Sequence, residues 1–100
     1  MFNVGSGEAV SVGDLCGRLA RQYGRAVTPR CDGEYRLGDV RHISASIDKL
    51  ARLGFVPAVS LEDGLSRYAE WIESIGEVKE YFSLVEARLR ASGMIRSLTA

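Results

Sequence analysis

The chain is 100 residues long, and its thirteen basic and thirteen acidic side chains cancel, so it has no broad field to draw in nucleic acid or an anionic membrane. Its composition, 46% hydrophobic and 26% charged, is that of a soluble globular domain, and no apolar run approaches the ~20 residues of a membrane span. A chain this short buries only a little over ~60% of its unfolded surface, so the core is expected to be thin.

Phe2 to Val4 reads as a short strand ended by Gly5-Ser6-Gly7, and the start shows neither a basic flank nor a signal-peptide core, which makes the cytoplasm the expected location. Ser11 with Asp14 forms a variant capping box. Behind it Val12, Leu15, Cys16, Leu19, Ala20 and Tyr23 recur at helical spacing until Gly24. Arg18, Arg21 and Arg25 fall off that stripe and are expected to be solvated. Ala26 to Cys31 reads as a second strand with Pro29 at an edge or bulge, and His42 to Ser44 as a brief third. Ser46 is the expected N-cap of a short helix through Leu53, with Gly54 as its left-handed stop. Ser60 with Asp63 repeats the capping grammar, opening a helix whose stripe is Leu61, Leu65, Tyr68, Ala69 and Ile72. After Ser74-Ile75-Gly76 a further helix is expected, with Val78, Tyr81, Phe82, Val85 and Leu89 on one face and Glu86 paired with Arg90 on another. Ala91-Ser92-Gly93 ends it and leaves a frayed tail from Met94.

Cys16 and Cys31, with His42 as the sole histidine, cannot furnish an ordinary four-ligand zinc site. A metal site is not expected. The thiols read as small buried or half-buried side chains, and the reading of His42 with a cysteine as a nucleophile pair has little behind it.

The most informative stretch is Gly33-Glu34-Tyr35-Arg36-Leu37-Gly38-Asp39-Val40-Arg41-His42-Ile43, a short segment read as irregular that sets arginines and an aspartate around a glycine. Guanidinium groups match phosphate oxygens, and a carboxylate accepts hydrogen bonds from sugar hydroxyls. The plain alternative is that Arg36 and Asp39 pair with each other and only hold the loop. Asn3 is a further candidate, for which satisfying backbone groups is the more ordinary role.

Four stretches stand in one order: Phe2-Asn3-Val4-Gly5-Ser6-Gly7 with Val10-Ser11-Val12; Arg36 to Ile43; Leu53-Gly54-Phe55-Val56-Pro57; and Val59 to Leu65. In that order and spacing the chain resembles the C-terminal portion of the extended short-chain dehydrogenase/reductases, the NAD-dependent nucleotide-sugar epimerases and dehydratases. The resemblance implies an α/β, helix-rich fold of short strands and about four helices, the substrate-binding part of a Rossmann-type enzyme. Residues 1–74 would be the nucleotide-sugar-binding part and residues 75–100 a helical C-terminal extension. That extension is similar to one in bacterial deoxysugar epimerases. By the same resemblance Arg36 holds the pyrophosphate of the nucleotide sugar and Asp39 approaches the ribose or base. Arg41 and His42 follow at positions where relatives differ more, and Leu37 stands where many relatives carry proline.

Such enzymes use a glycine fingerprint and a Tyr-x-x-x-Lys pair. Here the four tyrosines are followed at the fourth position by Val27, Asp39, Ile72 and Val85, and Gly5-Ser6-Gly7 by Glu8-Ala9-Val10. The expectation is a fragment that is not catalytic alone and carries no cofactor, with NAD(P) bound in the N-terminal dinucleotide-binding domain of a parent enzyme. Its partners would be a nucleotide-diphosphate sugar and that domain, and a homodimer is the alternative. The other reading of the chain is a self-associating α/β interaction module, dimerising through the face made for the missing domain together with the stripe Val78, Tyr81, Phe82, Val85 and Leu89.

Overall fold

Two serines set where the longest helices begin. The Ser11 hydroxyl accepts from the Asp14 amide at 3.0 Å and opens α1 (Val12–Gln22), and the Ser60 hydroxyl accepts from the Asp63 amide at 3.1 Å and opens α3 (Leu61–Ile75). Each hydroxyl satisfies a backbone donor that the first helical turn leaves unpaired. A computed structural model describes residues 1–98 and adds to these β1 (Glu34–Arg36), α2 (Asp48–Ala51), α4 (Phe82–Ala91) and β2 (Ile95–Ser97). The result is helix-rich, with four helices and one two-stranded antiparallel sheet among the described residues.

Helices α1 and α3 pack on each other, joined at the side by an Arg18–Glu62 ion pair and by Gln22 Nε2 donating to Ser66 Oγ at 3.2 Å. Arg18 is therefore not the solvated side chain its position off the apolar stripe suggested. On α3, Leu61, Leu65 and Ile72 are half-buried and Ala69, 4% exposed, is the one buried residue described. Tyr68 departs from the expected stripe: it stays exposed and leans on Trp71, ring centroids 5.8 Å apart.

The expected strands at 2–4, 26–31 and 42–44 do not form. A strand exists only through a partner's hydrogen bonds, and the single ladder described joins Glu34 to Ser97, Tyr35 to Arg96 and Arg36 to Ile95. The tail expected to fray from Met94 instead supplies β2, and the segment read as irregular supplies β1. Of that tail, Thr99 and Ala100 lie outside the described residues. The device that returns the tail is Gly93 at φ 70°: the Met94 amide bonds back to the Leu89 carbonyl at 2.9 Å, ending α4 and aiming the next residues at β1. Two other helix boundaries shift. Ser46 binds the Asp48 amide at 3.3 Å, but Ile47 holds the cap position of the one-turn α2. Val78 and Tyr81 precede α4, whose first turn is capped by the Glu80 carboxylate accepting from the Ser83 amide at 2.9 Å.

The accessible surface is 8853 Å², whereas a folded monomer of this mass exposes about 5,600 Å². The radius of gyration, 17.2 Å, exceeds the ~13 Å of a globular 100-residue chain. Apolar side chains as large as Trp71 and Phe82 are mostly exposed. The fold presents faces that it does not itself cover.

Candidate functional site

The β1 strand ends in a turn over residues 36–39. The Asp39 amide donates to the Arg36 carbonyl at 3.2 Å, and Gly38 sits at φ 90°, where a side chain would be strained. That geometry folds the Asp39 carboxylate back onto the arginine, whose Nε lies 3.2 Å from Asp39 Oδ2. Both side chains are 58% exposed, so solvent screening leaves the pair little stability to contribute. The pairing is the one the plain alternative anticipated, yet it engages the guanidinium through Nε alone among the described residues, and the fork of a guanidinium carries four further donors.

Arg36 and Asp39 open onto a cleft of about 430 Å³ between the sheet and α4, whose far side is formed by Phe82, Val85 and Leu89. Arg41 lies beyond Asp39, in a smaller hollow of about 310 Å³ that it shares with Tyr35 and Leu98. Asp39 is common to both hollows, and His42 lines neither. Asn3 is placed elsewhere, with its amide nitrogen 3.5 Å from the Ser46 carbonyl it bonds. Cys16 is half-buried and Cys31 exposed, both free. Among the described residues no cluster of three or more His, Cys, Asp or Glu is placed to hold a metal ion, and no helix is long and apolar enough to cross a membrane.

One feature of the cleft is not legible in local sequence. Arg90 grips Glu34 with two parallel bonds, Nη1 to Oε1 at 2.8 Å and Nη2 to Oε2 at 2.6 Å. It also donates to Glu86 Oε1 from Nε at 3.1 Å and from Nη2 at 2.7 Å. The i,i+4 spacing announces the Glu86–Arg90 half. Glu34 belongs to another part of the chain, and only the β1–β2 ladder brings it within reach. The hydrogen bond from Arg90 holds the Glu34 carboxyl below its usual range, and Glu34 first, then Glu86, raise the Arg90 guanidinium above its own. The clamp also sets the charge of the cleft. Arg36 and Arg90 together offset two of the three carboxylates there, Glu34, Glu86 and Asp39, and without Arg90 only Arg36 would face them.

The Gly5-Ser6-Gly7 segment does not open directly into a helix. In a dinucleotide-binding turn the glycines let a pyrophosphate approach the backbone at the start of a helix. Here α1 starts only at Val12, and the space beside Gly7 is taken by Ile47, whose Cδ1 stands 3.2 Å from where a Cβ on Gly7 would lie. The close approach at Gly7 serves packing against α2's cap residue.

Over 73 residues, 72% of its length, the chain is 41% identical to the dTDP-L-rhamnose 4-epimerase of Burkholderia thailandensis. It spans 20% of that protein. No family model and no solved structure matches the chain. Over that stretch the chain is related to a nucleotide-sugar epimerase.

Proposed function

We propose that this chain is the substrate-side part of an NAD-dependent nucleotide-sugar epimerase or dehydratase of the extended short-chain dehydrogenase/reductase type, anchoring the diphosphate of the nucleotide sugar and not catalytic alone. The observation that carries the reading is the 41% identity to a protein whose name specifies a nucleotide sugar. In this reading Arg36 exchanges Asp39 for phosphate oxygens, Asp39 turns to the ribose or base, and Arg41 adds positive charge beyond it. Fixing the unreactive diphosphate orients the sugar for chemistry carried out by a dinucleotide-binding domain. The surface in excess of a globular monomer, roughly 3,300 Å², supports a domain-scale partner, because a standard interface takes only about 800 Å² per side.

The test is calorimetry of dTDP, with NAD as control, on the chain and its Arg36→Ala variant. Charge-assisted hydrogen bonds of this kind are worth at least about tenfold in affinity. Equal affinity for dTDP in the two proteins sinks the assignment of Arg36.

The same uncovered faces favour a second reading, the self-associating module. Sedimentation across a concentration range separates the two: the module dimerises through its exposed apolar faces, and a strict monomer at high concentration removes it.

A further inference from the structure

The cleft beside Arg36 has two chemically different sides. One carries the Arg36 guanidinium with the Asp39 and Glu34 carboxylates, the other the apolar face of α4 with Glu86 beside it. Phe82 stands in the first turn of that helix, 72% exposed, and the single aromatic pair described is Tyr68 with Trp71, so its ring is not stacked within the described chain. An exposed ring facing an arginine across about 430 Å³ suits a ligand that is anionic at one end and flat and apolar at the other. The position of α4 is not incidental, since Arg90 ties it to β1 and β2 returns from its end to pair with the strand that carries Arg36.

From this two-sided geometry we infer that residues 82–97 form the specificity wall of the Arg36 cleft. Phe82, backed by Val85 and Leu89, receives the planar base of a nucleoside diphosphate whose phosphates lie at Arg36. Arg90 is a positioning residue: it holds the wall in place and offsets one of the two negative charges that Glu34 and Glu86 bring to the cleft. The inference rests on the diphosphate-anchoring reading and adds which part of the chain distinguishes a nucleotide from a bare diphosphate.

Calorimetry on the full chain with dTDP and with inorganic pyrophosphate tests it. Stacking on an aromatic ring predicts that dTDP binds about tenfold tighter than pyrophosphate. Phe82→Ala abolishes that preference and leaves pyrophosphate affinity unchanged. Phe82→Leu, which keeps an apolar side chain without a flat ring, retains only part of it. Arg90→Gln weakens both ligands, with the larger loss at low salt, because it uncovers two carboxylates. Equal binding of dTDP and pyrophosphate by the unaltered chain, or equal loss of both in Phe82→Ala, overturns the wall and leaves the Arg36 anchor standing. Binding of neither ligand overturns the wall and the anchor together.

Discussion

Replacing Leu37 by proline separates two roles of one backbone position. Leu37 is the second residue of the turn over residues 36–39, a place where proline's fixed φ suits a turn with glycine next, as Gly38 is here at φ 90°. Its amide, however, donates to the Met94 carbonyl at 2.8 Å, extending the β1–β2 ladder toward the helix end. Proline lacks that donor. On the turn side the gain is about 0.4–1 kcal/mol, through a less variable unfolded chain. On the ladder side the loss is about 0.5–1.5 kcal/mol, and the exposed Met94 carbonyl can turn to water rather than remain unpaired. Global stability therefore changes by less than about 1 kcal/mol, while the two-stranded sheet opens about fivefold more often. The reporter is hydrogen exchange at the Leu98 amide, which bonds the Gly33 carbonyl at 2.8 Å at the opposite end of the ladder. Leu37→Ala, which keeps the donor, is the control. Identical exchange at Leu98 in the two variants would refute the argument that the sheet zips as a unit.

Two further outcomes follow from the caps and from the clamp. Ser11→Ala and Ser60→Ala should each lower stability by about 1 kcal/mol, read from thermal melts of helical circular dichroism, and losses below about 0.3 kcal/mol would show that the hydroxyls do not cap in solution. Because Glu34 titrates below its ordinary 4.5 in the folded chain, the clamp's contribution is complete above that pH and fades as acid takes the carboxylate through its lowered value. Arg90, raised above its ordinary range, stays charged throughout. Cross-relaxation between α4 and β1 should therefore weaken on acidification below about pH 4.5, and should already be weak at neutral pH in Glu34→Gln. Contacts that persist unchanged to about pH 2 would remove the clamp from the account.

The features legible in the sequence are those governed by neighbours a few residues apart. Ser11 and Ser60 with their acidic partners mark helix starts, Gly24, Gly54 and Gly93 mark ends by their positive φ, and Glu86–Arg90 is an i,i+4 pair. Each is a local satisfaction of backbone or charge, so spacing along the chain is enough to find it. Arg36, Asp39 and Arg41 were legible by side-chain type, and the structure brings Arg36 and Asp39 into one cleft while setting Arg41 in the next hollow.

What tertiary structure decided is pairing across the chain. Alternating or β-branched runs at 2–4 and 26–31 carry strand propensity but find no partner, whereas Glu34–Arg36 and Ile95–Ser97 find each other from distant parts of the chain. Strand identity is a property of the ladder and not of either segment, so no local pattern announces it. The same pairing places Glu34 under Arg90 and turns the apolar face of α4 toward Arg36. Sequence alone marked the starts of α1 and α3, the glycines that end helices and which side chains have chemistry to offer. Only the folded chain decided that the diphosphate candidate and the C-terminal helix share a cleft, because that juxtaposition depends on hydrogen bonds between residues far apart in sequence.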